Sequence, residues 1–257
     1  MAGFNLDDFE VIKAETLSTP NSILIYGPPG KGKTVFAASI SKVPGFERTL
    51  VIDTEGSSVA LGPHYPGVDV IKAPTAAQFT KVAEALLNGK LVERESGLPY
   101  QCVIIDTLDK AQTRQLAMFA ASPEAKNSKG EENSFYKWGA LKIWTEKIGD
   151  LFHQADFLTI FVLHSDIDKN EDTGKVTTGV MLAGKSQQIF PSTPDAVCYF
   201  DVVPVDEGGK KVPKRAADFR VSAKLITKQR FAEKLNALVV DPTFEKVFRA
   251  IEPARFN

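Results

Sequence analysis

The stretch GPPGKGKT at residues 27–34 constrains the fold more than any other feature of the sequence. It fits the pattern G-x-x-x-x-G-K-[ST] of a phosphate-binding loop, in which backbone N–H groups, a lysine and a helix N-terminus surround phosphate groups. The apolar run SILIY precedes it, and TVFAASISK, which has helical character, follows it. A strand, a glycine-rich turn and a helix in this order are the context that the pattern requires. A chance glycine turn is therefore the weaker interpretation.

Each fixed position of this pattern has a chemical role. The glycines let consecutive N–H groups turn inward toward the phosphates. Lys33 supplies a positive charge to the β- and γ-phosphates, and Thr34 offers a hydroxyl group to Mg²⁺. We therefore predict ATP and Mg²⁺ as ligands. The residues predicted to bind the nucleotide are Gly27, Pro28, Pro29, Gly30, Lys31, Gly32, Lys33, Thr34 and Val35.

The order of the remaining segments predicts the fold class. Apolar runs that predict buried strands cover residues 22–26, 49–53, 68–73, 102–106 and 157–163, and helical patterns cover 34–42, 75–89, 135–154 and 243–251. Continuous apolar strands separated by helices indicate a parallel sheet covered on both faces. A hairpin or a mobile loop follows at 166–185, and then a hairpin whose strands we predict at 195–205 and 218–227. We expect a three-layer α/β fold with a mostly parallel central sheet and a C-terminal β-hairpin extension.

Length and composition set the outer limits. The 257 residues suit a single domain, 1–257, with its core at about 20–230, an N-terminal extension at 1–19 and a C-terminal helical tail at 231–257. The formal net charge of −1 gives no global attraction to nucleic acid, so such binding would need a local patch. Two isolated cysteines, no signal peptide and no long apolar run predict a cytoplasmic protein.

Two segments have the outline of a strand that ends in a metal-binding acid, LVIDTEGS at 50–57 and CVIIDTLDK at 102–110. We assign Asp106 to Mg²⁺ because its strand is apolar up to the acid. Thr107 follows where an ATPase of the AAA+ kind would normally have a glutamate, so the group that polarises the attacking water must come from elsewhere. Glu55, just beyond the other strand, is the candidate. Two alternatives stay open: Glu55 as a solvated loop acid, and Asp53 as the metal ligand.

The order and spacing of these pieces resemble the RecA-like core, and most closely the phage-encoded RecA-like ATPases, including the Sak-type single-strand annealing proteins. The resemblance covers about residues 20–230 and includes FVLHSD at 161–166. It implies that His164, at the end of its strand, senses the γ-phosphate and passes its state to a following DNA-binding loop. A strand-end histidine that only caps a turn is the alternative.

The resemblance also implies a role for the basic segment 210–234. TKQR at 227–230 is similar to the K-x-R element with which KaiC-like and other RecA-type ATPases reach into the next subunit's nucleotide, so Lys228 and Arg230 would act in trans. Arg230 also stands where a guanine-reading T-K-x-D motif has its aspartate, which favours ATP over GTP. In a competing interpretation, which rests on the local positive excess, the hairpin lysines at 210–215 would instead meet a nucleic-acid backbone. A solvated basic face is the alternative for both sets.

RecA-like proteins keep their DNA-contacting loops where this chain has residues 122–138 and 165–187. The first contains Phe135, Tyr136 and Trp138, and the second contains Lys169, Lys175 and Lys185. Aromatic side chains beside lysines suit single-stranded DNA, although Tyr136 and Trp138 also fit the apolar face of the following helix. The resemblance implies an ATPase that self-associates into a ring or filament on single-stranded DNA and promotes annealing or strand exchange. A nucleotide-gated regulator or replication accessory ATPase is the alternative, and a metabolite kinase is disfavoured because no arginine-rich lid is present.

Overall fold

The computed structural model describes residues 19–126, 133–169, 176–235 and 237–257. Within them, ten strands form one sheet. The strands are β1 Ser22–Gly27, β2 Thr49–Asp53, β3 Asp69–Lys72, β4 Cys102–Asp106, β5 Leu158–Lys169, β6 Val176–Val180, β7 Ala196–Glu207, β8 Lys210–Asp218, β9 Lys228–Gln229 and β10 Leu238–Val240. The helices are α1 Lys33–Ala38, α2 Ala76–Leu87, α3 Leu108–Ala121, α4 Ser134–His153, α5 Ser186–Ile189 and α6 Phe244–Ile251.

The strand order is β10-β8-β7-β1-β5-β4-β2-β3, with β6 beside β5 and β9 beside β7. The strands from β3 to β7 along this order run parallel, and β8 and β10 add an antiparallel edge. The carboxyl ends of β1, β2, β4 and β5 therefore meet at one edge of the sheet. The predicted mostly parallel sheet and its C-terminal antiparallel extension are confirmed.

The two faces of the sheet bury separate cores, which accounts for the apolar character of successive strand residues. On β1, Ile23 and Ile25 face a core that α1 and α6 complete, with Phe36 stacked on Phe244 at 4.7 Å between ring centroids. Leu24, on the other face, packs in a core completed by α2, α3 and α4. All of these side chains are almost fully buried. The predicted three layers are confirmed.

The second hairpin differs from its prediction. β7 pairs directly with β8, which occupies Lys210–Asp218 and not the predicted 218–227. Gly208 and Gly209 have φ angles of 65° and 86°, a left-handed conformation that glycine adopts readily and that closes a two-residue turn. β7 and β8 therefore pair directly from the turn onward, beginning with Glu207 opposite Lys210.

The last segment is helical at α6, as predicted, and also supplies β10. In β10, Leu238, Val239 and Val240 pair antiparallel with the end of β8, where a short helix was expected. No helix among the residues described by the structure is long and apolar enough to cross a membrane.

Candidate functional site

The phosphate-binding loop lies between β1 and α1. Gly32 has a φ of 102°, which a residue with a side chain rarely adopts, and its carbonyl accepts the hydrogen bond from Phe36 N at 3.0 Å that begins the helix. The Lys33 ammonium donates to the carbonyl oxygens of Gly27 and Pro28, both at 2.8 Å. Burial lowers the pKa of Lys33 below its ordinary value of 10.5. The lysine is therefore held inside the loop, where its charge faces few water molecules.

Asp106 ends β4 directly opposite this loop. Its Oδ2 accepts hydrogen bonds from the hydroxyl groups of Thr34, at 2.8 Å, and Ser57, at 2.6 Å. Burial raises the pKa of Asp106 above its ordinary value of 3.8, although these two hydrogen bonds lower it. The peptide bond from Asp106 to Thr107 is cis.

The surroundings of Asp106 fit a bound Mg²⁺. Its Oδ1 is buried and has no hydrogen-bond partner within the described residues, and the Thr34 hydroxyl lies beside the same carboxylate. Carboxylate and hydroxyl oxygens are ligands that Mg²⁺ accepts, and the ion usually completes its shell with water and substrate phosphates. The described part of the chain has no group of three or more His, Cys, Asp or Glu side chains that could hold a metal alone. The site thus fits an ion shared with a nucleotide.

Asp53, the other candidate for the metal, is occupied by its own loop. Its Oδ1 accepts from the backbone N–H groups of Glu55, at 3.0 Å, and Gly56, at 2.6 Å, and its Oδ2 accepts from the Ser58 N–H and hydroxyl groups. Burial alone would raise the pKa of Asp53, but these bonds outweigh it and lower the pKa below 3.8. Asp53 shapes the turn that presents Glu55.

Glu55, His164 and Asp109 form a chain of contacts across the site. The Glu55 Oε2 lies 3.7 Å from His164 Nε2. On the other side of the ring, His164 Nδ1 lies 2.9 Å from Asp109 Oδ2, and the His164 N–H donates to Asp109 Oδ1 at 3.0 Å. With Asp109 as acceptor, Nδ1 is the donor and Nε2 is directed toward Glu55. Asp109 was not among the predicted site residues; its only signal in the sequence is an acid three residues after Asp106, in the first turn of α3.

One cavity of about 350 Å³ joins these elements. It is lined by Pro29, Gly30, Gly32, Lys33, Thr34, Glu55, Ser57, Ala60, Asp106, Thr107, His164 and Arg215. Most residues predicted for the nucleotide, the metal and the attacking water are therefore neighbours. A larger hollow of about 700 Å³ lies at the amino ends of the strands, beside Asn21 and Gln101, and contains none of them. We place the site in the smaller cavity because the ionisable groups converge there.

Lys228 and Arg230 lie outside this cavity. The Lys228 ammonium donates to the carbonyl oxygens of Ser192 and Pro194. Arg230 Nη1 pairs with Asp195 Oδ1 at 2.8 Å, and 51% of the Arg230 side chain is exposed. A cation that acts on the nucleotide of a neighbouring subunit does not have to reach the cavity of its own subunit. The role of Lys228 and Arg230 in trans therefore stays a prediction.

The predicted DNA-contacting segments meet at a second hollow, of about 480 Å³. Phe135 and Trp138 on α4 line it together with Gly184 and Lys185 from the segment after β6. Phe135 is 88% exposed. Residues 127–132 and Lys175 lie outside the described residues. The β5–β6 hairpin extends the strand that carries His164, and Met181 N donates to the His164 carbonyl at 2.8 Å.

The basic residues of the second hairpin do not form one surface. Lys210 and Lys211 are exposed next to the turn, whereas Lys214 pairs with Glu207 at 3.2 Å and Asp241 at 3.6 Å. Arg215 reaches the cavity above the phosphate-binding loop. Sequence reasoning missed this, because the neighbour of Arg215 depends on where the hairpin turns.

The chain is similar to two solved structures and to one family of domains. The KaiC-like protein from the hyperthermophilic archaeon Pyrococcus horikoshii OT3 is 15% identical over 86% of this chain and 89% of its own, with a TM-score of 0.46. The RadB recombinase is 14% identical over 80% of this chain and 83% of its own, with a TM-score of 0.45. Among curated proteins, none matches this sequence. The AAA_24 family, described as an AAA domain, matches residues 19–231, which span the phosphate-binding loop, both acidic strand ends and the second hairpin. The chain therefore belongs to the AAA_24 family of AAA domains.

Proposed function

We propose that the chain is a magnesium-dependent ATPase of the phage-encoded, Sak-type kind, which assembles on single-stranded DNA and promotes annealing or strand exchange. One observation carries the enzymatic part. Lys33, Thr34, Asp106 and Glu55 come from three separate segments and line one cavity at the carboxyl edge of the sheet. This combination serves phosphoryl transfer to water.

Each of these side chains has a separate role in the proposed reaction. Lys33 exchanges its two carbonyl partners for the β- and γ-phosphate oxygens. Thr34 and Asp106 hold Mg²⁺, which when bound neutralises charge on those oxygens. Glu55 accepts a hydrogen bond from the attacking water, whose oxygen bonds to the γ-phosphorus as the bond to the leaving ADP oxygen breaks. The proton that this water loses passes to an oxygen of the released phosphate. His164 lies beside Glu55 and limits where its carboxylate can point.

The subunit interface would complete the site. Asp195 fixes the Arg230 guanidinium while half of the side chain stays exposed, so a neighbouring subunit's nucleotide could meet it. A cation supplied in this way is worth about 10³-fold or more in turnover. We therefore expect Arg230→Ala to lower turnover far more than ATP affinity, and equal losses would count against a trans finger.

A mixing experiment separates action in trans from action in cis. Glu55→Gln subunits keep Arg230, and Arg230→Ala subunits keep Glu55. If Arg230 serves the neighbour's site, mixed assemblies contain some complete sites, and the two inactive variants together regain part of the wild-type phosphate release. Mixtures that co-purify as hetero-oligomers and stay inactive would contradict the interface.

DNA binding is proposed on the second hollow, where Phe135 and Trp138 adjoin Lys185. Exposed aromatic rings stack on bases at about 1–3 kcal/mol per base. Phe135→Ala should weaken binding to oligo(dT) about tenfold, and Val221→Ala, which shortens an equally exposed side chain elsewhere, should not.

The ATPase rate measured with and without oligo(dT), from low to high salt, tests the coupling between DNA and nucleotide. We expect stimulation that fades as salt rises. An active ATPase that single-stranded DNA neither binds nor stimulates would favour the nucleotide-gated regulator.

A further inference from the structure

The second hairpin stands beside the phosphate-binding loop. β7 pairs with β1 only as far as Tyr26 opposite Tyr199, and it then continues to Glu207. The part of the hairpin beyond Tyr199 therefore projects past the carboxyl end of β1, where the loop begins. Gly27 lies so close to it that a Cβ atom built there would be 1.9 Å from the Phe200 carbonyl oxygen. The loop and the hairpin are packed as one unit.

Arg215 extends from this hairpin over the loop. Its Nε donates to the Lys31 carbonyl at 3.1 Å. A Cβ atom built on Gly32 would lie 3.1 Å from Arg215 Nε and 3.4 Å from Cζ, so the guanidinium covers that glycine. Its terminal nitrogens, Nη1 and Nη2, make no hydrogen bond to any residue that the structure describes. Arg215 is one of the residues that line the cavity, and within the described residues the N–H groups of these two nitrogens stay available as donors.

The backbone of Arg215 is fixed from both sides. Arg215 pairs with Val202 on β7, and the Asp241 N–H donates to the Arg215 carbonyl at 2.8 Å. Nearby, Lys31 pairs with Asp201 at 3.4 Å, which ties the loop to the same hairpin. Arg215 is exposed, and its Nε–H bond to Lys31 keeps the guanidinium beside the loop, where its planar fork of N–H donors suits oxyanions.

Lys214, the neighbour of Arg215 on β8, shows that contact with the phosphate-binding loop depends on the position in the strand and not on charge alone. Successive residues of a strand point to opposite faces. Lys214 accordingly pairs with Glu207 and Asp241, away from the cavity. Arg215 and Lys214 are adjacent cations with separate surroundings.

We propose that Arg215 binds the phosphate chain of the nucleotide within its own subunit, on the flank of the loop opposite Asp106. In the sheet, β8 and β4 each lie two strands from β1, on opposite sides. Arg215 and the metal-binding acid therefore approach the phosphates from two directions. The inference rests on the proposed ATP site, and it adds a cation in cis to the one that Arg230 supplies in trans.

The test compares Arg215→Ala, Arg215→Gln and the control Lys214→Ala. Affinities for Mg·ADP and Mg·ATP are measured by titration calorimetry. Glutamine keeps a donor for the Lys31 carbonyl but removes the charge. Because hydrogen bonds from charged donors are the strong ones, we expect both Arg215 variants to bind ADP and ATP about tenfold more weakly or worse. Lys214→Ala should stay close to the wild type.

Three results would decide against the inference. Variants of Arg215 that bind as tightly as the wild type would overturn it and leave the ATPase intact. Weak binding by Arg215→Ala with normal binding by Arg215→Gln would mean that Arg215 only braces the loop through Lys31. A wild-type protein that binds neither nucleotide would overturn the proposed function itself. Circular dichroism checks that each variant is folded, and Arg215→Gln carries the test if Arg215→Ala is not.

Discussion

Strands β2 and β4 lie side by side, and each is followed by a threonine, as Asp53–Thr54 and Asp106–Thr107. The two ends are also bonded to each other. The Thr54 hydroxyl accepts from the Thr107 N–H at 2.9 Å and donates to the Thr107 carbonyl at 2.8 Å. What differs is the use of each carboxylate. Both oxygens of Asp53 accept hydrogen bonds from its own turn, whereas Oδ1 of Asp106 has no partner in the part of the chain that the structure describes.

The difference arises from the residues that follow each strand. After Asp53 the chain turns through Glu55 and Gly56 at once, so its N–H groups fold back onto the carboxylate. After Asp106 the chain enters α3, which leads the N–H groups away. Among the described residues, the carboxylate then accepts hydrogen bonds only from hydroxyl groups of other segments, those of Thr34 and Ser57. Identical strand-end sequences can therefore give one acid that is bonded within its own turn and one that, in our proposal, is available to Mg²⁺.

Among replacements of the acids at and near these two strand ends, Asp106→Asn should have the largest effect. The change removes the charge from the metal side at nearly constant shape, and loss of metal-ion stabilisation lowers turnover by about 10³-fold. Stability should not fall, because burial disfavours the charged form of Asp106, as its raised pKa shows. Phosphate release at saturating ATP and urea unfolding measure the two quantities. If the Asp106→Asn enzyme is nearly as active as the wild type and the Asp53→Asn enzyme is inactive, Asp53 and not Asp106 binds the metal.

Replacing Glu55 by glutamine should come next. Removal of a group that orients water costs about 10²-fold in turnover. ATP affinity should stay within about threefold, because Glu55 contacts the water and not the phosphates in our proposal. The amide still fits a side chain that is one-third exposed, so folding should be normal. Turnover that is unchanged would make Glu55 a solvated loop acid.

Much of the fold could be read from the sequence because both faces of the central strands are apolar. β1, β2, β4 and β5 were found this way. β8 was not, since KKVPKRAAD is basic and contains Pro213. A strand forms there because the turn at Gly208–Gly209 brings it against β7, and because β10 covers only Ala216–Asp218, which leaves Pro213 on a free edge where proline is tolerated.

The site could be predicted where a residue belongs to a local pattern, as Lys33, Thr34 and Asp106 do. Asp109 and Arg215 have no such pattern. Asp109 acts on His164, 55 residues later, and Arg215 acts on Lys31, 184 residues earlier. Their partners are set by strand order and by the position of a turn, which apolar periodicity does not report.

Replacing Asp53 by asparagine should mainly lower stability. The turn loses a charged acceptor for buried hydrogen bonds, and we expect a loss of about 1–3 kcal/mol in the free energy of unfolding. Because folding lowers the pKa of Asp53, its contribution is fully present above the ordinary pKa of 3.8 and is lost as pH falls through the lower folded value. The difference between wild type and variant should thus shrink below pH 3.8. A difference in the free energy of unfolding that persists below pH 3.8 would show that Asp53 stabilises the turn through its shape and not through its charge.

Replacing Asp109 by asparagine should have the smallest effect and should test how Glu55 is held. Asparagine keeps an oxygen that accepts from the backbone N–H of His164, but it turns an amide N–H donor toward Nδ1 of the His164 ring. The ring hydrogen must then move to Nε2, where it donates to Glu55 and restrains the carboxylate that orients water. We expect turnover to fall about tenfold, in the range of changes to residues that orient a functional group. With three histidines in the chain, ¹⁵N spectra of the imidazole rings can follow the tautomer directly. Because a general loss of packing would not move a proton from Nδ1 to Nε2, a slower enzyme with an unchanged tautomer would remove Asp109 from the control of Glu55.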